Sequence, residues 1–176
     1  MNIQIRREEK CDYDKVKALV FLAFKNMEFA DGDEHELVEN LRKSKNYVPE
    51  LSLVALVDGI ITGHIMFSTC NIISDNETIE SLTLAPVSVD PDFQKRGIGG
   101  MLIREGLRIA ESMGFLHVNL FGHPAYYPRF GFESASKYGI NPPMEAPEGV
   151  FMIIELKKNS LKGVTGVVQY AKEFGI

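Results

Sequence analysis

The sequence "DPDFQKRGIGG", residues 90–100, stands between an apolar strand-like run and a run with helical periodicity. Glycine has no Cβ, so successive backbone N–H groups of such a turn can converge on an anion. The helix that begins here adds the positive end of its dipole, and Lys95 and Arg96 add two positive charges. The turn therefore predicts a phosphate site at the junction of a strand and a helix.

Two known phosphate-binding motifs do not fit this turn. A P-loop needs G-x-x-x-x-G-K-[ST], and neither its lysine nor its hydroxyl stands at the required place. A dinucleotide fingerprint needs G-x-G-x-x-G, and Leu102 occupies the place of the third glycine. The pattern that remains is Q-x-x-G-x-G, from Gln94 to Gly99, and a glycine turn without a ligand is the alternative to it.

The strand before the turn changes phase. Its apolar residues alternate with other residues, but the alternation slips by one residue at Ala85-Pro86, as the positions show: Leu82, Leu84, then Val87, Val89. A slip of one residue turns every later side chain to the other face unless an extra residue bulges out. We therefore expect a β-bulge at Ala85-Pro86, which would leave backbone groups unpaired beyond it. Such groups suit an extended ligand with amide bonds, and the pantetheine arm of coenzyme A is one.

These features resemble the GNAT superfamily of acetyl-CoA-dependent N-acetyltransferases. The resemblance rests on "VSVDPDFQKRGIG" from Val87 and on "YYPRFGF" from Tyr126. Together with "GVFMIIELKKNSLKGVTGVVQYAKEF" from Gly149, the resemblance extends over essentially the whole chain. Within the superfamily, the sequence is most similar to the bacterial YhbS-like subgroup. The resemblance implies an α/β fold with a central, splayed mixed sheet and helices on both faces. The alternation and helical periodicity along the chain independently indicate one mixed sheet with helices on its faces.

The resemblance also implies a cofactor, acetyl-CoA, and residues that bind it. Backbone groups of the bulged strand would bind the acetyl and pantetheine portions, and the glycine turn would bind the pyrophosphate: Val87, Ser88, Val89, Gln94, Lys95, Arg96, Gly97, Ile98 and Gly99. Tyr127 matches the tyrosine that in many members lies near the cofactor sulfur, where a phenol can give the departing thiolate a proton. A packing role is the alternative for Tyr127. Many members have an asparagine before the short helix, but Gly122-His123-Pro124 stands there instead.

A general base is not evident from the sequence. The acidic or hydroxyl candidates are Glu28, Glu80, Ser88 and Asp90, and Asp90 before Pro91 reads as a turn residue. His35, His64 and His117 are expected to be structural or solvated, with His117 pointing outward from its strand. His123 stays a candidate because it adjoins the Tyr127 segment, and water can also carry the proton away.

The composition limits the remaining possibilities. With 176 residues, 45% hydrophobic, the chain is predicted to be one domain, residues 1–176. A net charge of −5 offers no basic surface for nucleic acid, and no apolar run approaches the roughly 18 residues of a membrane span. Cys11 and Cys70 have no metal-ligand or redox spacing. We expect them to be free core thiols in a cytoplasmic protein without a metal.

The sequence thus predicts an enzyme that acetylates an amine, with a non-catalytic acyl-CoA-binding module as the alternative. The acceptor could be a small molecule or a peptide. The acidic segment between the first two helices, residues 28–36, would favour cationic amines if it borders the acceptor. The sequence also permits a homodimer in which C-terminal edge strands pair across the interface.

Overall fold

The structure, a computed structural model, describes residues 2–27 and 30–176. Three α-helices are described: α1 Tyr13–Phe24, α2 Glu34–Leu41 and α3 Ile98–Ser112. Nine strands are described: β1 Ile3–Arg7, β2 Tyr47–Val57, β3 Ile60–Ile73, β4 Thr78–Val89, β5 His117–Phe121, β6 Glu133–Ser134, β7 Ile140–Asn141, β8 Phe151–Glu155 and β9 Gly166–Gln169. The predicted α/β class is confirmed.

The strands form one mixed sheet in the order β1-β2-β3-β4-β5-β8-β6. Within this order, neighbours are antiparallel except β4 and β5, which run parallel because α3 connects them. Strand β9 pairs with the end of β3 and, on its other side, with β7.

Local sequence explains the turns and helices that position the sheet. Asp58 and Gly59 join β2 to β3 with positive φ values of 49° and 85°, as the Asp-Gly pair predicts. Helix α1 buries Val16, Leu19, Val20 and Ala23 against one face of the sheet. Asp12 holds the N-cap position of α1 without capping the helix, because its carboxylate pairs with Arg6.

The two faces of the sheet carry separate hydrophobic clusters. Helix α3 packs on one face, where Gly63 lets it approach so closely that a Cβ there would lie 3.0 Å from Ile98. Helices α1 and α2 cover the other face through a cluster that includes Val54 and Met66. A third cluster joins the C-terminal residues to the ends of β3 and β8 and contains Cys70. Cys70 is therefore a core thiol as predicted, whereas Cys11 is exposed and was wrongly placed in the core.

No helix within the described part of the chain is long and apolar enough to cross a membrane.

Candidate active site

The sheet opens between β4 and β5. These strands pair only at Leu82 with Val118 and at Thr83 with Asn119. Two residues further along β4, its register with β3 shifts: Phe67 faces Leu84, but Ile65 faces Val87. One residue of the Ala85-Pro86 pair is therefore extra, and the bulge predicted from the phase slip is confirmed. Beyond it, β4 diverges from β5 and leaves a gap.

The register decides which backbone groups face this gap. The N–H of Asp90 donates to the Thr62 carbonyl on β3 over 2.9 Å. Antiparallel pairs alternate between residues bonded to the partner strand and residues directed away from it. Counting back from Asp90, Ser88 is bonded to β3, whereas Val87 and Val89 point into the gap. The register thus restricts the prediction for backbone contacts to Val87 and Val89, and the buried hydroxyl of Ser88 lies under the α1 face.

The glycine turn meets α3 at the same gap. Gly97 is the N-cap with φ of 82°, in the left-handed region, and no side chain caps the helix. The N–H groups of Ile98, Gly99 and Gly100 in the first helical turn therefore have no intrahelical partner. Gln94 donates from Nε2 to the Val89 carbonyl over 3.2 Å and so ties the turn to β4.

A cleft of about 660 Å³ joins the turn to the gap. Most of the predicted cofactor residues line it: Val87, Val89, Gln94, Lys95, Gly97, Ile98, Gly99, together with Tyr127. Arg96 is not among the lining residues, because its guanidinium donates to the Asp92 carbonyl over 2.9 Å and lies against Phe93. The cleft is lined by Lys95, Arg104 and Arg129, and none of its described lining residues is acidic.

Tyr127 lies at the inner end of the cleft in a short 3-10 helix, Tyr127–Phe130, which Gly131 ends with φ of 99°. Its ring packs edge-on against Phe132 and directly over Gly122, where a Cβ would lie 2.1 Å from Cε2 of the tyrosine. Burial raises the pKa of Tyr127 to about 12. The phenol therefore keeps its proton at neutral pH, which a general acid requires.

The neighbouring Tyr126 points elsewhere. Its ring is perpendicular to that of Tyr127, with an interplanar angle of 88°. Its hydroxyl lies over Gly99, at 3.4 Å from the position of a Cβ on that glycine. The two tyrosines thus line different parts of the cleft: Tyr126 contacts the first turn of α3, and Tyr127 packs over Gly122.

The candidate bases are dispersed. Asp90 accepts the Asp92 N–H and is a turn residue, as predicted; Glu80 is exposed and lies before the bulge; Glu28 lies outside the described residues. His64 is fully buried, where Nε2 lies 3.2 Å from the Ser52 hydroxyl within a network that includes the Glu8–Arg42 ion pair. Burial lowers the pKa of His64 to about 3, so this imidazole is neutral.

His117 was wrongly predicted to point outward. It is fully buried, with Nδ1 at 2.7 Å from the Ser81 hydroxyl, because the C-terminal residues cover the second face of β5. His35 packs edge-on against Phe21. His123 is exposed and accepts the Ala125 N–H, so it organises its own turn. No group of three potential metal ligands occurs in the described ranges.

Comparison with known proteins gives the family. Residues 4–135 match the family described as acetyltransferase (GNAT) domain. The chain is 32% identical over 171 residues to the uncharacterized N-acetyltransferase YhbS of Escherichia coli, covering 97% of each.

Two solved structures share the fold throughout. The crystal structure of YhbS from Escherichia coli in complex with CoA has a TM-score of 0.89 and 29% identity, and the match covers 100% of this chain and 93% of that one. A GNAT family acetyltransferase from Brucella melitensis in complex with acetyl-CoA has a TM-score of 0.80 and 32% identity, and the match covers 98% of each chain. With its split sheet, its glycine-capped helix and these relatives, the chain belongs to the GNAT family of acetyltransferases.

Proposed function

We propose that the protein transfers the acetyl group of acetyl-CoA to a primary amine. The observation that carries this proposal is the gap between β4 and β5, because free backbone groups of one strand and the uncapped first turn of α3 both face it. An extended amide-bearing arm fits along Val87 and Val89, and its pyrophosphate fits the N–H groups at Gly97–Gly99. The complexes of two relatives with CoA and acetyl-CoA support the same cofactor here.

Acetyl-CoA supplies an acetyl thioester, and residues of this chain act on it when an amine attacks. The Val87 N–H, the first free donor after the bulge, would stabilise the negative charge on the carbonyl oxygen. As the C–N bond forms and the C–S bond breaks, Tyr127 would give its proton to the sulfur. The attacking nitrogen loses its extra proton to water, since no described carboxylate or imidazole lines the cleft.

The cofactor site can be tested with two variants of Gly97 that differ only in charge. Asn and Asp have similar shapes, and both tolerate the left-handed backbone better than other side chains. Gly97→Asp should lose most of the rise in melting temperature that acetyl-CoA gives the parent protein, because the carboxylate repels a pyrophosphate. Gly97→Asn should keep more of this rise. Equal shifts in both folded variants would contradict the assignment of the turn.

Catalysis itself is tested by measuring the release of coenzyme A thiol from acetyl-CoA with each amine of a panel. An enzyme releases thiol faster with the correct amine, whereas an acyl-CoA sensor, the alternative function, binds the cofactor and releases none. A protein that binds acetyl-CoA but leaves every amine of a broad panel unreacted would favour the sensor.

We propose a cationic acceptor for the same reaction. Asp31, Asp33, Glu34 and Glu36 line a second cleft of about 310 Å³ together with Glu173 and apolar side chains, among them Phe121 and Phe174. Phe121 ends β5, two residues beyond the last pair of that strand with β4, so this cleft lies at the end of a strand that borders the gap. An acceptor with a second ammonium group beyond its reacting amine would complement this charge.

A diamine and the monoamine of the same chain length test the acceptor class. The diamine should have the higher kcat/KM, and its advantage should shrink at high salt because salt screens exposed charges. Asp33→Asn together with Glu36→Gln should reduce the advantage without changing acetyl-CoA affinity. If the monoamine reacts as well as the diamine at low salt, the acidic cleft does not select the acceptor.

We also propose that the protein acts in the cytoplasm. Cys11 and Cys70 are free, one exposed and one buried, which suits a reducing compartment. Fractionation of cells that express the tagged chain would test this, and recovery of the chain with the membranes or the medium would contradict it.

A further inference from the structure

The outer wall of the cofactor cleft carries an arginine that the glycine turn does not account for. Arg129 lies in the 3-10 segment after β5, across the cleft from α3. Its side chain is exposed, and no described carboxylate forms an ion pair with it. On a chain with a net charge of −5, an arginine side chain without an ionic partner, in a cleft without acidic side chains, indicates an anionic ligand.

The guanidinium of Arg129 is held in place by its own segment. Its Cζ lies 4.6 Å from the centre of the Tyr126 ring, a cation–π contact, and Nη2 donates to the Ala125 carbonyl over 3.4 Å. The hydroxyl of this tyrosine lies over Gly99. The Tyr126 ring therefore contacts the first turn of α3 through its hydroxyl and carries the Arg129 guanidinium over its face.

Arg104 lies beside the first turn of α3. Its Nη1 donates to the Gly100 carbonyl over 3.3 Å, and its guanidinium lies over Phe130. Together with Lys95 and the free N–H groups of the turn, Arg104 suits the pyrophosphate. Arg129 lies instead over the face of the Tyr126 ring and makes no hydrogen bond with α3 in the described part of the chain.

Coenzyme A carries a second phosphate group beyond its pyrophosphate, on the 3′-hydroxyl of its ribose. We propose that Arg129 binds this 3′-phosphate, with the Tyr126 ring as the platform that orients the guanidinium. Arginine presents paired N–H donors that match phosphate oxygens. The inference rests on the proposed function, since it requires coenzyme A in the cleft, and it makes Arg129 the residue that distinguishes coenzyme A from dephospho-coenzyme A.

Calorimetric titration of four proteins with two ligands tests the assignment. Coenzyme A and dephospho-coenzyme A, which lacks only the 3′-phosphate, are each titrated into the parent protein, Arg129→Gln, Arg104→Gln and Arg108→Gln. Arg108 is the matched control, because it is an exposed arginine on the outer side of α3 that pairs with Glu105. Its replacement removes the same charge away from the cleft.

The parent protein should bind coenzyme A about tenfold more tightly than dephospho-coenzyme A, as one charge-assisted contact between exposed groups allows. Arg129→Gln should abolish this difference by weakening coenzyme A alone. Arg104→Gln should weaken both ligands together, and Arg108→Gln should weaken neither.

Two results would overturn the assignment. One is an Arg129→Gln protein that still prefers coenzyme A as the parent does, and the other is equal weakening of both ligands in that variant. The proposed function fails separately, if the parent protein binds neither ligand. Melting temperatures without ligand identify any variant that has lost its fold, and Arg129→Lys, which keeps the charge but not the paired donors, should then retain part of the preference.

Discussion

Replacement of Tyr127 by Phe should lower kcat about 10- to 100-fold and leave the affinity for acetyl-CoA nearly unchanged. Phenylalanine keeps the ring that packs over Gly122 and against Phe132 and removes only the proton. General acid catalysis is commonly worth 10² to 10⁴-fold. The structure indicates the low end of that range or below it, because burial raises the pKa of Tyr127 to about 12.

The size of the effect follows from the two pKa values. Burial raises the pKa of Tyr127 to about 12, well above that of a thiol, so full proton transfer from Tyr127 to a thiolate is uphill. The phenol therefore helps most while the C–S bond is breaking, when its proton moves toward the charge that develops on the sulfur. The raised pKa also means that Tyr127 keeps its proton as pH rises, so kcat should show no loss from its ionisation up to about pH 11.

Steady-state thiol release at saturating amine measures kcat, and titration with acetyl-CoA measures affinity. Tyr126→Phe is the matched control, because it removes a hydroxyl next to Gly99 and should change cofactor affinity at most. A Tyr127→Phe enzyme with the kcat of the parent would refute the general-acid role, with His123 or water next in line. A loss of kcat in Tyr126→Phe equal to that in Tyr127→Phe would refute the separation of their roles.

Two further variants test the packing around the site. Gly122→Ala places a Cβ 2.1 Å from Cε2 of Tyr127, so the ring must move. We therefore expect kcat to fall at least as far as in Tyr127→Phe. A Gly122→Ala enzyme with normal kcat would show that the position of the ring is not critical. Gly106→Ala places a Cβ 2.4 Å from Cε2 of the fully buried Phe67 and should lower the free energy of unfolding by about 1–3 kcal/mol, measured by urea denaturation. Gly100→Ala in the same helix is its control. Its Cβ would lie 3.2 Å from the flexible end of Arg104 and 3.5 Å from the Phe130 ring, an ordinary contact distance, so this variant should cost little or stabilise the helix. Equal losses in both variants would contradict the packing argument.

The sequence predicts the parts of the site that depend on local backbone rules. The slip in alternation at Ala85-Pro86 locates the bulge, because a period of two allows no other way to keep the apolar residues on their faces. Gly97 and Gly99 likewise locate the first turn of α3, because glycines between a strand and a helical run mark the turn at which the helix begins. The bulge is confirmed in the register with β3, and α3 begins at Ile98.

Other features depend on contacts between distant parts of the chain and leave no local signal. Alternation places His117 on the face of β5 that does not carry the core residues Val118 and Leu120. That second face is buried only because C-terminal residues pack over it, and the alternation does not report this packing. The direction of the Ser88 backbone depends on pairing with His64, which no sequence pattern reports. The contact of Arg129 with Tyr126 and the position of that tyrosine over Gly99 likewise require a segment that follows β5 to return to α3.

The pairing of β4 beyond its bulge has a consequence for amide hydrogen exchange. The Ser88 N–H is bonded within the sheet, whereas the Val87 and Val89 N–H groups on either side face the gap. In the free protein, exchange with solvent deuterium should thus be slow at one residue and fast at both of its neighbours. A bound pantetheine arm would slow the two fast amides and leave the slow one unchanged, so three consecutive amides would report which molecules fill the gap, including inhibitors that bear no thioester.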